Sequence, residues 1–154
     1  MDLGNKQLIS VCSFSLEIPG VTDEREGEPF TAIDGLSKYV AQSQNYFYGG
    51  EQHSGYLPSK FATKNLTLKR PITTGHSNIF EWIQTSLNTF EFEPKDMILY
   101  ILDSNRNILA KWDIISAIPI SFDISTVELN SADNSIYETF IFNYKDLTML
   151  TNQS

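Results

Sequence analysis

Between Ser13 and Ile18 apolar and polar residues alternate. Phe14, Leu16 and Ile18 share one face and Ser13, Ser15 and Glu17 the other, the period of two that marks a half-buried strand. Pro19-Gly20 stops it, and the polar stretch from Thr22 to Glu28, closed by Pro29, reads as a hairpin connection. Phe30 to Leu36 is the next strand, with Asp34-Gly35 near its end suited to a bulge or a sharp change of direction. Asn65 to Arg70 alternates again, Leu66 and Leu68 inward and Asn65, Thr67 and Lys69 outward, and Pro71 ends it.

The period then changes. Ile79, Phe80, Ile83 and Leu87, extended by Phe90, make an apolar stripe at helical spacing, so Asn78 to Asn88 is predicted as a helix. Asn78 is its expected N-cap, with Glu81 as the capping-box partner. Trp82 lies off the stripe and is either a contact residue or a residue at the edge of the core. Met97 to Leu102 is almost continuously apolar, Asp103 to Asn107 supplies turn chemistry, and Ile108 to Ile114 returns as a strand. Ile108, Ala110, Trp112 and Ile114 there face away from Leu109, Lys111 and Asp113. Pro119 is expected to separate this strand from another, Ile120 to Leu129, before a polar turn at Asn130 to Ser135. The last predicted strand, Ile136 to Tyr144, puts Ile136, Glu138, Phe140, Phe142 and Tyr144 on one face. Many antiparallel strands and one helix predict a mainly β fold, a two-sheet β-sandwich or barrel with one packed α-helix.

Ser37 to Ser59 follows neither period. Gly49, Gly50 and Gly55 are interleaved with Tyr39, Tyr46, Phe47, Tyr48 and Tyr56 among Gln, Asn and Ser. Disordered segments are poor in aromatics, whereas rigid rings set among small polar residues make adaptable contact surfaces. The segment is expected to be an extended contact loop.

Composition narrows the function. A chain of 154 residues suits one domain, here 1–154, around one core. The net charge of −8 argues against a general polyanion binder, because phosphate affinity comes from clustered Lys and Arg. The nearest cluster, Lys60, Lys64, Lys69 and Arg70, is spread along a strand and its approach, which fits a solvated or salt-bridging face. Cys12 alone makes no intramolecular disulfide and no cysteine zinc site, and its strand-like setting reads as core. Neither a signal-peptide pattern nor an apolar run of membrane-spanning length occurs, so cytoplasmic assembly without stable membrane insertion is expected.

Catalytic and cofactor chemistry has no support in the sequence. His53 and His76 lack partners at metal-ligand spacing, so neither a metal nor another cofactor is expected. Ser54 sits in no nucleophile elbow, and Gly49-Gly50 is not followed by the Gly-Lys-Ser/Thr of a phosphate loop. Glu91 and Glu93 on a short connection read as solvated charge.

The order of segments resembles one family, the tail tube proteins of contractile phages of the T4-like type and of related extracellular injection systems and R-type bacteriocins. Phe14-x-Leu16-x-Ile18-x-Gly20 and then Phe30-x-x-Ile33-x-Gly35-Leu36 are similar to its opening hairpin. Leu57-Pro58 and Asn65-Leu66-Thr67-Leu68-Lys69-Arg70-x-Ile72-Thr73 resemble its most characteristic stretch, and Phe80-x-Trp82 falls where it has a short aromatic-bearing helix. Ile101-x-Asp103, Trp112, Ala117-x-Pro119 and Glu138 ahead of Tyr144 resemble the remaining landmarks. The chain departs at Pro71, where glycine is more usual, and at Phe122, near which tryptophan is common.

The resemblance implies a non-enzymatic structural subunit whose six copies form a ring, with rings stacked into a hollow tube. Its partners would be further copies of itself, a surrounding sheath, baseplate and tube-terminating proteins, and DNA or protein cargo in the lumen. It also makes Ser13, Ser15, Glu17, Lys111 and Asp113 lumen candidates. Tyr39, Tyr46, Phe47, Tyr48, Tyr56 and Trp82 become candidates for contacts between subunits. The alternatives are a tube-initiator or baseplate-proximal ring of the same fold, or an effector-carrying ring like the tube protein of type VI secretion.

Overall fold

In the computed structural model, which describes residues 13–22, 27–42, 46–48, 51–55, 58–127, 129 and 135–150, the alternating segments form strands whose apolar faces meet. At 41–42, 46–48, 51–55 and 58–60 the description is of the backbone. The strands in chain order are β1 (Ser13–Glu17), β2 (Glu28–Phe30), β3 (Ala32–Asp34), β4 (Lys38–Gln42), β5 (Tyr46–Tyr48), β6 (Glu51–Gly55), β7 (Pro58–Thr63) and β8 (Leu66–Pro71). After the helix α1 (Asn78–Thr89) come β9 (Lys95–Leu102), β10 (Ile108–Ile124), β11 (Tyr137–Asn143) and β12 (Asp146–Leu150).

Two antiparallel sheets share one strand. The first runs β2-β1-β9-β10, with β12 on the other side of β10, and the second runs β10-β11-β8-β3. β10 belongs to both because Ile108–Ala117 pairs with β9 and Ile118–Ile124 pairs with β11. Pro119 therefore does not separate two strands, contrary to expectation. Register shifts between Ile114 and Ala117 and between Pro119 and Ser121 bend a single strand from one sheet into the other. Proline is tolerated at such a bulge because no ladder N–H is required of it. Ser116, at φ 53°, donates its N–H to Asp96 Oδ1 at 2.9 Å and fixes the first bend.

The opposite seam forms in the same way. The expected strand from Phe30 to Leu36 is divided at Thr31: β2 pairs with β1 in the first sheet and β3 with β8 in the second. Thr31 turns the corner with both its N–H and its hydroxyl donating to Lys69 O, at 2.9 and 3.1 Å. Gly35 is required where the chain then dives under Asn65. Its φ is +96°, and an added Cβ would lie 1.9 Å from Asn65 O.

Leu16, Ile18, Phe30, Met97, Leu99 and Ile114 from the first sheet meet Leu66, Leu68, Phe140 and Phe142 from the second, all buried. Each such side chain contributes roughly 1.5–3 kcal/mol by leaving water. The helix adds Ile79 and Ile83, with Phe80, Trp82 and Leu87 packed at the margin. Its cap is Ser77, one residue before the expected Asn78: Ser77 Oγ accepts from Phe80 N at 3.0 Å. Phe90, expected on the buried stripe, is 81% exposed, because it adopts the left-handed φ of 54° that ends the helix. Ile108 and Leu129, both expected in strands, are exposed, and β10 ends at Ile124, short of Leu129. The strand β12 was not foreseen; it lies along β10 with Asp113↔Thr148 and Ile114↔Leu147.

The aperiodic segment is not a loop along its described length. β4 pairs with β7 and β5 with β6, two antiparallel two-stranded ladders that form no part of the two sheets. Glycine and polar residues masked the signal because a ribbon of this kind needs no buried face.

Candidate assembly surfaces

Strand register places all five lumen candidates on one face. Ser15 and Lys111 both pair with Tyr100, and Glu17 and Asp113 both pair with Ile98, so these residues form cross-strand rows on the side of the first sheet away from the core, with Ser13 beside Leu102. Tyr100, which the sequence did not single out, organises the patch. Its hydroxyl donates to Glu17 Oε2 at 2.7 Å, and the Lys111 ammonium lies 5.6 Å from its ring centroid. Burial first, then the hydrogen bond to Glu17 and the charges of Glu17 and Asp113, push the Tyr100 phenol from 10.0 to about 12. The face is half-buried and mixed, with Ile98 and Leu102 among the polar residues, and carries charges of both signs that partly offset one another.

The second surface is the arm that comprises the β4–β7 and β5–β6 ladders. At its root Lys38, Val40, Phe61 and Thr63 alternate with Tyr39 and Ala62 across the ladder. Tyr39 is 49% exposed, and Val40 and Phe61 are exposed as well. A two-stranded ribbon with apolar side chains open on both faces is marginal in water. Tyr46, Phe47 and Tyr48 lie on β5, as shown by the backbone; Tyr56 lies outside the described residues. At the base of the arm, Lys38 Nζ is 2.8 Å from Asp146 Oδ1 and 4.3 Å above the Phe61 ring. The Lys38 hydrogen bond, followed by that from Leu147 N, holds the Asp146 carboxyl below its ordinary value.

The third feature was missed in the sequence. Arg70 continues the inward parity of Leu66 and Leu68, so it is buried and not part of a solvated basic face. Its Nε donates to Glu138 Oε1 at 2.6 Å, Nη1 to Glu28 Oε1 at 3.0 Å and Nη2 to Ser77 Oγ at 2.6 Å. Its guanidinium stands 4.8 Å from the Phe30 centroid and 5.4 Å from that of Phe140. Glu28 Oε2 in turn accepts Ile79 N at 2.8 Å, so a glutamate from a distant strand satisfies a first-turn N–H of α1, while the expected capping partner Glu81 lies beside His76. Two carboxylates against one guanidinium leave an excess negative charge, which the positive end of α1 offsets. The signal was present in the sequence: a carboxylate on the apolar face of β11 and an arginine in the apolar phase of β8 require each other. Beside the cluster lies a cavity of about 690 Å³ lined by Pro71, Ile72, Phe80 and Ile124 among others.

The remaining candidates are scattered. Trp82 is half-buried and stacks on Phe142, centroids 6.0 Å apart and planes 13° apart, which makes it a margin of the core. Lys69 reaches over Tyr137 and Lys64 is exposed; the side chain of Lys60 and the whole of Cys12 lie outside the description. His76 is exposed beside Asn78 and Glu81, while Glu91 and Glu93 are exposed on their connection. The side chains of His53 and Ser54 and the pair Gly49-Gly50 are not among those described. Among the described residues no three His, Cys, Asp or Glu side chains are grouped to hold a metal ion. No helix of the described residues is long and apolar enough to cross a membrane.

The family model for T4-like virus tail tube protein gp19 matches residues 10–148. The chain belongs to that family. As a tail tube protein it is a structural subunit of a tube. No curated protein matches it. Among solved structures, it is similar to a chain of the anti-feeding prophage (AFP) baseplate, 6-fold symmetrised, at a TM-score of 0.75 and 17% identity, over 98% of this chain and 100% of that one. A chain of the PVC extracellular contractile injection system, in a sheath-tube complex in the extended state, gives 0.74 and 21% over 96% and 94%. Hcp1 from Salmonella typhimurium gives 0.52 and 14% over 91% and 86%. The tail tube fold is thus shared with injection-system tube and Hcp proteins at identities that testify to architecture alone.

Proposed function

We propose that six copies of this tail tube protein close into a ring, that rings stack into a rigid hollow tube inside a contractile sheath, and that the tube carries DNA or protein when the sheath drives it through a target envelope. The observation that carries this reading is the family match across residues 10–148. The similar chains from a six-fold baseplate and from a sheath-tube complex support the ring number and the sheath partner. Baseplate and tube-terminating proteins complete the particle, a virion tail or an injection device assembled in the cytoplasm. Residues 1–154 act as one domain that presents the arm.

The face carrying Ser13, Ser15, Glu17, Lys111 and Asp113 lines the lumen. Such a surface, on a chain of net charge −8, lets a polyanion pass without a continuous run of cations to hold it. The arm, with Tyr39, Tyr46, Phe47, Tyr48 and Tyr56, packs on a neighbouring subunit or the next ring, where its exposed apolar residues lose their contact with water. Trp82 contributes at most its open edge. The task of the tube requires no catalytic step, metal or other cofactor.

The test is negative-stain microscopy of the purified chain, which is expected to show six-membered rings and tubes. A monodisperse monomer by sedimentation at high concentration, in the presence of a baseplate template as well as without one, would sink the reading. The baseplate origin of one similar structure favours a second role, a baseplate-proximal ring in few copies. Short stacks that never lengthen would support that one.

A further inference from the structure

Both strands of the arm are fastened to one short corner, Tyr144–Asp146, where the chain leaves β11 and enters β12. On the β4 side, Ser37 N donates to the Tyr144 hydroxyl at 3.0 Å. That hydroxyl donates in turn to Gly35 O at 2.6 Å, with Ser37 O at 3.1 Å as the alternative acceptor. Lys38 adds its ion pair with Asp146. On the β7 side, Thr63 Oγ1 donates to Tyr144 O at 2.6 Å. The corner is itself tied to the barrel, since Lys145 N donates to Ile115 O at 2.9 Å and the Tyr144 ring is buried in the core.

These contacts divide the work of Tyr144. Its ring fills space that a phenylalanine would fill equally well, whereas among the described residues its hydroxyl serves the base of the arm, at Gly35 and Ser37. A ribbon fastened by one strand can pivot and twist about that strand; fastened by both, it keeps one direction. Beyond the corner, β12 pairs with Lys111 and Asp113 of β10, so the anchor of the arm is continuous with the charged face of the first sheet.

We propose that the Tyr144 hydroxyl, with Thr63 and the Lys38–Asp146 pair, positions the arm, fixing the angle at which it leaves the barrel and hence the register between stacked rings. The step from angle to register rests on the proposed function of the arm as a contact to a neighbouring copy. The angle itself does not, because it belongs to the single subunit.

The experiment compares the full chain with Tyr144→Phe, Thr63→Val and the conservative Thr63→Ser, reading amide hydrogen exchange and tube assembly by electron microscopy. In Tyr144→Phe and Thr63→Val, exchange at 38–42 and 59–63 is expected to rise about tenfold, the factor that one or two lost hydrogen bonds amount to. Exchange in β8 and β11 stays unchanged, and tubes give way to separate rings or to tubes of irregular register. Thr63→Ser, which keeps the hydroxyl, restores both readouts. Unchanged exchange in the arm of both variants overturns the proposal, and so does a rise spread evenly over arm and core, which would make Tyr144 a core residue and nothing more. If the unaltered chain forms no tubes, the proposed function has failed, and arm exchange alone still decides the positioning role.

Discussion

The Arg70 cluster and the base of the arm both hold one part of the chain to another with an ion pair and hydroxyl hydrogen bonds, yet they differ in what surrounds them. Arg70 has a side chain only 10% exposed, packed between Phe30 and Phe140, and its two glutamates are nearly as covered. Lys38 and Asp146 are 42% and 33% exposed. Buried charges are costly to leave unpaired, so the first cluster locks two sheets and a helix into one arrangement. A solvated pair contributes little energy, so the second sets a direction and leaves the fold to others. A locked core and a directed arm thus draw on the same chemistry at different depths.

The largest expected effect breaks the buried side of this comparison. Arg70→Met leaves Glu28 and Glu138 facing each other without a cation, and is expected to cost about 3–5 kcal/mol in urea unfolding. A loss below about 1 kcal/mol would mean that the cluster is solvated in solution. Arg70→Lys should fall in between, since one ammonium cannot reproduce the fork to Glu138, Glu28 and Ser77. Gly35→Ala comes next, at roughly 2–3 kcal/mol, because it combines a left-handed φ with overlap on Asn65 O. Wild-type stability in that variant would show that the 35–37 segment moves freely. Ser77→Ala should cost about 1 kcal/mol, the usual value of an N-cap, and fray α1 by amide exchange.

On the exposed side the order of effects inverts. Replacing residues 46–56 with a short Gly-Ser linker should change core stability by less than about 0.5 kcal/mol, as for surface substitutions, while abolishing ring stacking in micrographs. Normal tubes from that variant, or failure to fold, would each remove the arm from its proposed role. The smallest effect concerns Tyr100. Its phenol is held above its ordinary value in the folded state, so the unfolded chain releases the proton first; the contribution is intact below about pH 10 and is lost as pH rises through about 12. Ultraviolet titration should show Tyr100 and the buried Tyr144 ionising late, and Tyr100→Phe should remove part of that late step whereas Glu17→Gln should move that part earlier.

The strands around the core were legible because burial on one face imposes a period of two: Leu16, Leu66, Leu68, Phe140 and Phe142 point inward as their alternation requires. The five lumen candidates fell on one face for the same reason, as alternation decides facing before any partner is known. The arm was misread as a loop because the side chains described at its root, Lys38, Tyr39, Val40 and Phe61, are open and impose no period, and β12 was missed because none of its apolar residues is fully buried.

What the sequence by itself determined is therefore the set of elements with a buried side, the helix that interrupts them and, through the order of its motifs, the tail tube family. Tertiary structure alone decided that Pro119 bends one strand between two sheets, that Thr31 divides another, and that Glu28 leaves a polar connection to cap a helix and pair with Arg70. Periodicity records which side of a segment avoids water, a local property; seams, distant caps and shared charges depend on which segments meet. Partners such as Glu28 and Arg70, 42 residues apart along the chain, are brought together only by the closure of the barrel.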